Sequence, residues 1–172
     1  MRTKQLPRGI RNNNPLNIRV GNCWFGEVKN PTDNEFEQFV SMECGIRAAF
    51  VILRRYIQRY KIVKLRDIIA RWAPASENNV QAYCFAVCHE SFLTDDHVFS
   101  YSSKDDMCEL VYRMIKVECG VFVEMKVIQK AYDLAWFIIQ LVYFMKKQIL
   151  IYILKALLMF LSAGAGSYAG TM

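Results

Sequence analysis

Glu118 is the carboxylate whose place in the sequence best fits acid–base chemistry. It continues an apolar helical stripe and lies two residues before Gly120, a residue type that ends helices. Burial on that stripe and the negative end of the helix dipole would both favour its protonated form. A protonated carboxyl group is what a general acid for glycosidic cleavage needs. The alternative is that the helix frays at Val117 and that Glu118 points into water.

Two further carboxylates, Glu43 and Glu77, are predicted to lie in the first turns of helices. The positive end of a helix dipole favours a charged carboxylate. These two residues therefore suit helix capping, or the second carboxylate of a catalytic pair with Glu118.

An asparagine-rich stretch, RGIRNNNPLNIR over residues 8–19, is the least ordinary part of the chain. Four asparagines and a proline within six positions predict a tight, ordered turn. The branched side chain of Leu16 restricts that turn to negative φ or imposes strain. The amides of Asn13, Asn14 and Asn17, with Trp24 shortly after them, would suit a polar, carbohydrate-like ligand. The alternative is a structural turn that binds nothing.

Other kinds of catalytic or cofactor site have little support in the sequence. It contains no phosphate-binding or dinucleotide-binding glycine motif, no G-x-S-x-G and no H-E-x-x-H. The six cysteines form no C-x-x-C pair, and Cys84, Cys88 and His89 give only a weak metal signal. We therefore expect buried free thiols, no metal and no cofactor.

Composition and charge narrow the class of partner. The 172 residues carry a formal net charge of +6 and are 53% hydrophobic. A basic chain favours anionic partners such as nucleic acid, phospholipid or the acidic bacterial cell wall. Because no Lys/Arg tract is interleaved with aromatic residues, no nucleic-acid partner is expected. The N-terminus has no apolar signal-peptide core, so we expect synthesis in the cytoplasm with reduced thiols.

The elements that would position these groups are helices. Residues 8–40 read as loops or a small hairpin, and helical periodicity then predicts helices at about 41–60, 64–72, 76–88, 103–119 and from 124 onward. Ser41 and Ser76 are the expected N-caps of the first and third of these helices. The expected fold is a mostly helical domain over residues 8–135.

A hydrophobic helical tail is predicted over residues 136–163, followed by a flexible terminus at 164–172. Residues 134–161 would make a helix about 42 Å long, enough to span a bilayer, but Lys146 and Lys147 would then cost about 2.5–3.5 kcal/mol each near its centre. Two alternatives avoid that cost. The tail lies in the membrane interface with its lysines at the surface, or it breaks at Lys146–Gln148 into two helices that pack on protein.

Three blocks of sequence, taken in order over roughly residues 8–135, resemble the lysozyme-like structural proteins of phages and prophages. They are residues 8–19 with Trp24-x-Gly26, Phe36-x-x-Phe39 and Gly45–Ala48; Ile68-Ile69-x-x-Trp72-Ala73-Pro74-x-x-Glu77-Asn78-Asn79-x-x-x-Tyr83; and Met114-Ile115-x-x-Glu118-x-Gly120 with Ala131-Tyr132-x-Leu134-Ala135. Soluble lytic transglycosylases are more distantly similar. Their catalytic Glu is often followed by Ser, where this chain has Cys119 after Glu118.

The resemblance implies a small lysozyme-like helical domain that attacks peptidoglycan as a muramidase or lytic transglycosylase, in the virion or at the cell envelope. Its glycan cleft would be lined by Asn13, Asn14, Asn17, Trp24, Trp72 and Tyr83, with Glu118 as the acid/base. The rival is a virion structural protein without enzymatic activity, in contact with a membrane or with other virion proteins through residues 136–163.

Overall fold

The computed structural model describes residues 6–76 and 78–165, and for residues 158–165 only the helical backbone. Helices dominate these residues, and no β-strand occurs among them, which confirms the mostly helical fold. The helices are α1 (Arg8–Arg11), α2 (Met42–Arg54), α3 (Leu65–Trp72), α4 (Val80–Cys88), α5 (Lys104–Cys119) and α6 (Met125–Ala165). A π-helical segment, Arg55–Arg59, extends α2.

Most helix ends follow local sequence signals. The Ser41 hydroxyl accepts a hydrogen bond from the backbone N–H three residues on, at the start of α2. Gly120 ends α5 in the left-handed conformation, with φ +67°. The expectation that Ser76 caps α4 was wrong. The cap is Asn79, whose side-chain oxygen accepts the N–H of Ala82 at 2.9 Å.

Four helices, α2, α3, α5 and α6, contribute apolar side chains to the core. Side chains at helical spacing on α2, α3, α5 and the first turns of α6 are fully enclosed, among them Phe50, Ile68, Met114 and Ile128. Phe50 meets Tyr132 edge to face, with ring centroids 5.3 Å apart. Burial of each such side chain contributes about 1.5–3 kcal/mol to the free energy of unfolding. This core therefore holds the helices in the arrangement to which the loops are attached.

The chain divides into two compact units, Met1–Ala135 and Trp136–Met172. Within the second unit, helix α6 continues without a break through Lys146–Gln148 as far as the last described residue, Ala165, so the alternative of two tail helices was wrong. Most of the large apolar side chains from Trp136 to Leu157 are exposed. Residues 166–172, at the predicted flexible terminus, lie outside the described residues.

The N-terminal excursion is irregular, held by isolated backbone bridges and by the carboxylate of Asp33, whose side chain is 8% exposed. Arg19 pairs with Phe36, and Glu27 with Phe39. Asp33 accepts both Nε and Nη2 of Arg8 at 2.6 Å, Nδ2 of Asn12 at 2.7 Å and two backbone N–H groups at 3.0 Å. This carboxylate ties helix α1 to the loop that follows it.

We expect Asp33→Asn to lower the free energy of unfolding by about 1–2 kcal/mol at pH 7, because its new NH₂ group faces the donors of Arg8 and Asn12. The Arg8 guanidinium holds the pKa of Asp33 well below its ordinary value. Its stabilisation is therefore present above about pH 4 and is lost as pH falls.

Denaturant unfolding at pH 7 and pH 3 measures this effect, and Asp95→Asn, at an exposed ion pair of 3.8 Å with Arg66, is the control. If the two variants differed as much in free energy of unfolding at pH 3 as at pH 7, the stabilising role of the ionised Asp33 carboxylate would be contradicted.

Candidate functional site

The asparagine turn has a largely structural role, because its amides hydrogen-bond to the backbone of neighbouring loops. Asn14 is fully buried and donates to the carbonyls of Ile18 and Glu37 at 2.9 and 3.0 Å. Asn13 donates to the Phe39 carbonyl at 2.9 Å. The positive φ angles of the turn fall on Asn13 and Asn17, at +51° and +50°, and not on Leu16. Asn13 and Asn14 therefore hold the loop and do not line the cavity described below.

Asn17 is the member of the turn that reaches Glu118. Its Nδ2 donates to Oε2 of Glu118 at 3.0 Å, across 101 residues of sequence. Close packing of α1 on the end of α5 sets this contact, since a Cβ added to Gly9 would lie 2.6 Å from the Cys119 Sγ and 2.8 Å from Oδ1 of Asn17.

Two aromatic residues donate to the other oxygen of Glu118. The Tyr83 hydroxyl lies 3.0 Å and the Trp72 indole nitrogen 3.3 Å from Oε1. Burial, followed by the nearby Glu118 carboxylate, raises the pKa of Tyr83, so its hydroxyl keeps its proton and remains a donor. Four of the residues singled out in the sequence, on α3, α4, α5 and the asparagine turn, thus meet at one carboxyl group.

A cavity of about 530 Å³ opens beside Glu118, within the size range of ligand pockets. Its wall combines aromatic faces with amides, the surfaces that suit a sugar ring. Among the wall residues are Trp72, Phe36, Tyr56, Asn17, Asn22 and Asn78. Tyr56 belongs to the π-helical segment, a type of irregularity frequent at functional sites.

Two arginines of the wall, Arg19 and Arg71, were not singled out in the sequence. Arg71 directly precedes Trp72 in the last turn of α3. That adjacency to a predicted site residue at a helix end was the available signal.

Trp24 and Glu43, two further predicted site residues, do not come together with Glu118. Trp24 is half-buried in the excursion, where its backbone N–H donates to Glu27 at 3.1 Å. Glu43 lies in the first turn of α2, away from the cavity wall. Glu77 lies outside the described residues. Within the described part of the wall, Glu118 is the one carboxylate.

Cysteine and metal chemistry gain no support from the geometry. Burial raises the pKa of the Cys119 thiol to about 11, and its Sγ donates to the Pro15 carbonyl at 3.3 Å. Burial also raises the pKa of Cys84 to about 11. Among the described residues, no three His, Cys, Asp or Glu side chains are grouped as metal ligands would be. The cavity therefore offers acid–base chemistry at a single oriented carboxyl group.

No family model matches the chain. It is similar to Protein P5 of Pseudoalteromonas phage PM2, with 43% identity over 91 residues, which is 51% of this chain and 57% of that protein. The chain thus spans little more than half the length of this relative. A resemblance to lysozyme-like structural proteins of phages was found in the sequence. The similarity to Protein P5 confirms the resemblance to a phage protein, while the lysozyme-like character of the chain stays a prediction.

Proposed function

We propose that this chain is a phage virion protein that associates with a lipid membrane through its tail. The similarity to a phage protein supports the first half of this proposal. The observation that carries the second half is the apolar surface of helix α6. Its segment Met125–Leu157 is the one helical stretch, among the described residues, long and apolar enough to cross a membrane, and an 18-residue window within it has a mean hydropathy of 1.6. None of its apolar window is buried within the protein.

The polar side chains of the tail favour a helix that lies in the membrane interface. Gln140 and Lys147 are seven residues apart, as are Gln148 and Lys155. At about 100° per residue these four fall within an arc of about 100°. That arc would face water and headgroups while the apolar side chains on the opposite side of the helix enter the lipid. Lys146 falls outside the arc and would reach the surface through its flexible stem.

Binding to vesicles tests this role of the tail. We expect the full chain to float with phosphatidylglycerol-containing vesicles. The double substitution Ile149→Lys/Ile153→Lys should weaken binding roughly 100-fold, because both exposed side chains lie on the side of the helix opposite the polar arc and each lysine replaces a lipid-facing apolar side chain. Deletion of residues 136–172 should abolish binding and leave a soluble, folded domain.

Phe85→Lys, at a side chain 72% exposed on α4, is the matched control. Unchanged flotation of the double variant would rule out the tail as the membrane contact.

A second function, cleavage of peptidoglycan glycan strands, is favoured by one specific observation: three donors from distant segments converge on Glu118 beside a cavity of sugar-binding character. Glu118 would protonate the leaving glycosidic oxygen. It would then take the proton from the sugar hydroxyl that closes the anhydro ring, as in a lytic transglycosylase.

A single carboxylate suffices for that reaction, whereas a hydrolase needs a second one about 5–9.5 Å away. Clearing of a peptidoglycan suspension by the purified chain tests this function. No clearing where a control enzyme succeeds would leave the non-enzymatic virion role.

A further inference from the structure

The cavity beside Glu118 carries both signs of charge. Arg71 lies on its wall with an exposed side chain, in the turn of α3 that also supplies Trp72. Among the described residues no carboxylate lies within ion-pair distance of its guanidinium, in contrast to Arg66 of the same helix, which pairs with Asp95 at 3.8 Å. The positive charge of Arg71 is thus available to a ligand in the cavity.

Aromatic neighbours hold the Arg71 guanidinium in place. Its central carbon lies 5.7 Å from the ring centroid of Tyr56 and 5.2 Å from that of Tyr60. A guanidinium held in this way loses less conformational freedom on binding than a free one, and its planar donor fork matches a carboxylate.

We infer that Arg71 binds a free lactyl carboxylate of the glycan, one not joined to a stem peptide, so that the cavity selects a peptide-free, acid-substituted amino-sugar strand over a neutral strand of the same backbone. This inference rests on the proposed glycan-cleaving function. A neutral strand would meet the aromatic faces and the amides but would leave Arg71 with water alone. An acidic strand would in addition form a charge-assisted, bidentate contact with Arg71, whose charge is opposite in sign to that of the Glu118 carboxylate.

Two probes of equal length separate these possibilities: a peptide-free tetrasaccharide of alternating N-acetylglucosamine and N-acetylmuramic acid, which carries lactyl carboxylates, and the neutral tetramer of N-acetylglucosamine. Calorimetry with the full-length Glu118→Gln chain measures binding of both without turnover. We expect the acidic strand to bind at least about 10-fold more tightly than the neutral one. Adding Arg71→Gln should remove that preference, and adding Arg71→Lys should keep part of it.

The matched control is Arg66→Gln in the same background, which removes a positive charge from α3 outside the cavity wall and should leave the preference intact. Equal affinity for both strands, unaffected by Arg71→Gln, would overturn this inference while leaving the glycan function standing. Binding of neither strand would overturn the glycan function and the inference with it. Thermal unfolding of each variant excludes loss of fold as the cause.

Discussion

Glu118→Gln is expected to lower the rate at which the chain clears a peptidoglycan suspension by at least about 100-fold, the lower range for loss of a general acid/base. Glutamine keeps the size of the side chain and an oxygen that accepts the donors of Trp72 and Tyr83. It carries no transferable proton. The fold and the cavity should therefore survive while the proton transfer is lost, which clearing assays together with thermal unfolding would separate.

Glu43→Gln is the matched control for this experiment. Glu43 is a partly exposed carboxylate in the first turn of α2, away from the cavity wall, and its replacement should leave clearing unchanged. If both substitutions abolished clearing, a two-carboxylate hydrolase would replace the single-residue scheme. Clearing by Glu118→Gln at the rate of the unsubstituted chain would refute the assignment of Glu118 altogether.

Three of the four residues that meet at Glu118 could be singled out from the sequence because each lies beside a local signal. Glu118 stands just before the Gly120 that ends α5, Trp72 before a proline-terminated helix end, and Asn17 at the end of a run of turn residues. Local signals such as these depend on a few neighbouring residues. They place a side chain at a helix end or in a turn, where cavity walls are built.

The roles of Asn13 and Asn14 were not accessible in the same way. Asn14 is satisfied partly by Glu37, 23 residues away, and Asn13 by Phe39, 26 residues away. An amide has the same donors and acceptors whether it holds a loop or a sugar, so residue type alone does not separate the two roles. Arg71 shows the converse case. Its access to the cavity depends on how α3 packs, which helical periodicity does not encode.

Gly45→Ala is expected to lower the free energy of unfolding by about 3 kcal/mol or more. In an ordinary helix the substitution would stabilise by about 0.5–1 kcal/mol, since alanine is the better helix former. Here a Cβ on residue 45 would lie 1.8 Å from the Asn13 carbonyl oxygen and 2.9 Å from its carbon. Both obstacles are backbone atoms, so no side-chain rotation relieves the clash, and steric cost outweighs helix propensity.

The matched control is Gly21→Ala, where a Cβ meets nothing within 4 Å and only the positive φ of +133° opposes the change. It should cost about 1–3 kcal/mol from backbone strain alone, and denaturant unfolding would compare the two. Gly45→Ala should also weaken clearing, because displacing Asn13 moves the turn whose last residue, Asn17, contacts Glu118. If the Gly45→Ala chain were as stable as the original, the asparagine turn would have to move at little cost in free energy. A turn that moves so easily could not hold the Asn17 side chain in contact with Glu118.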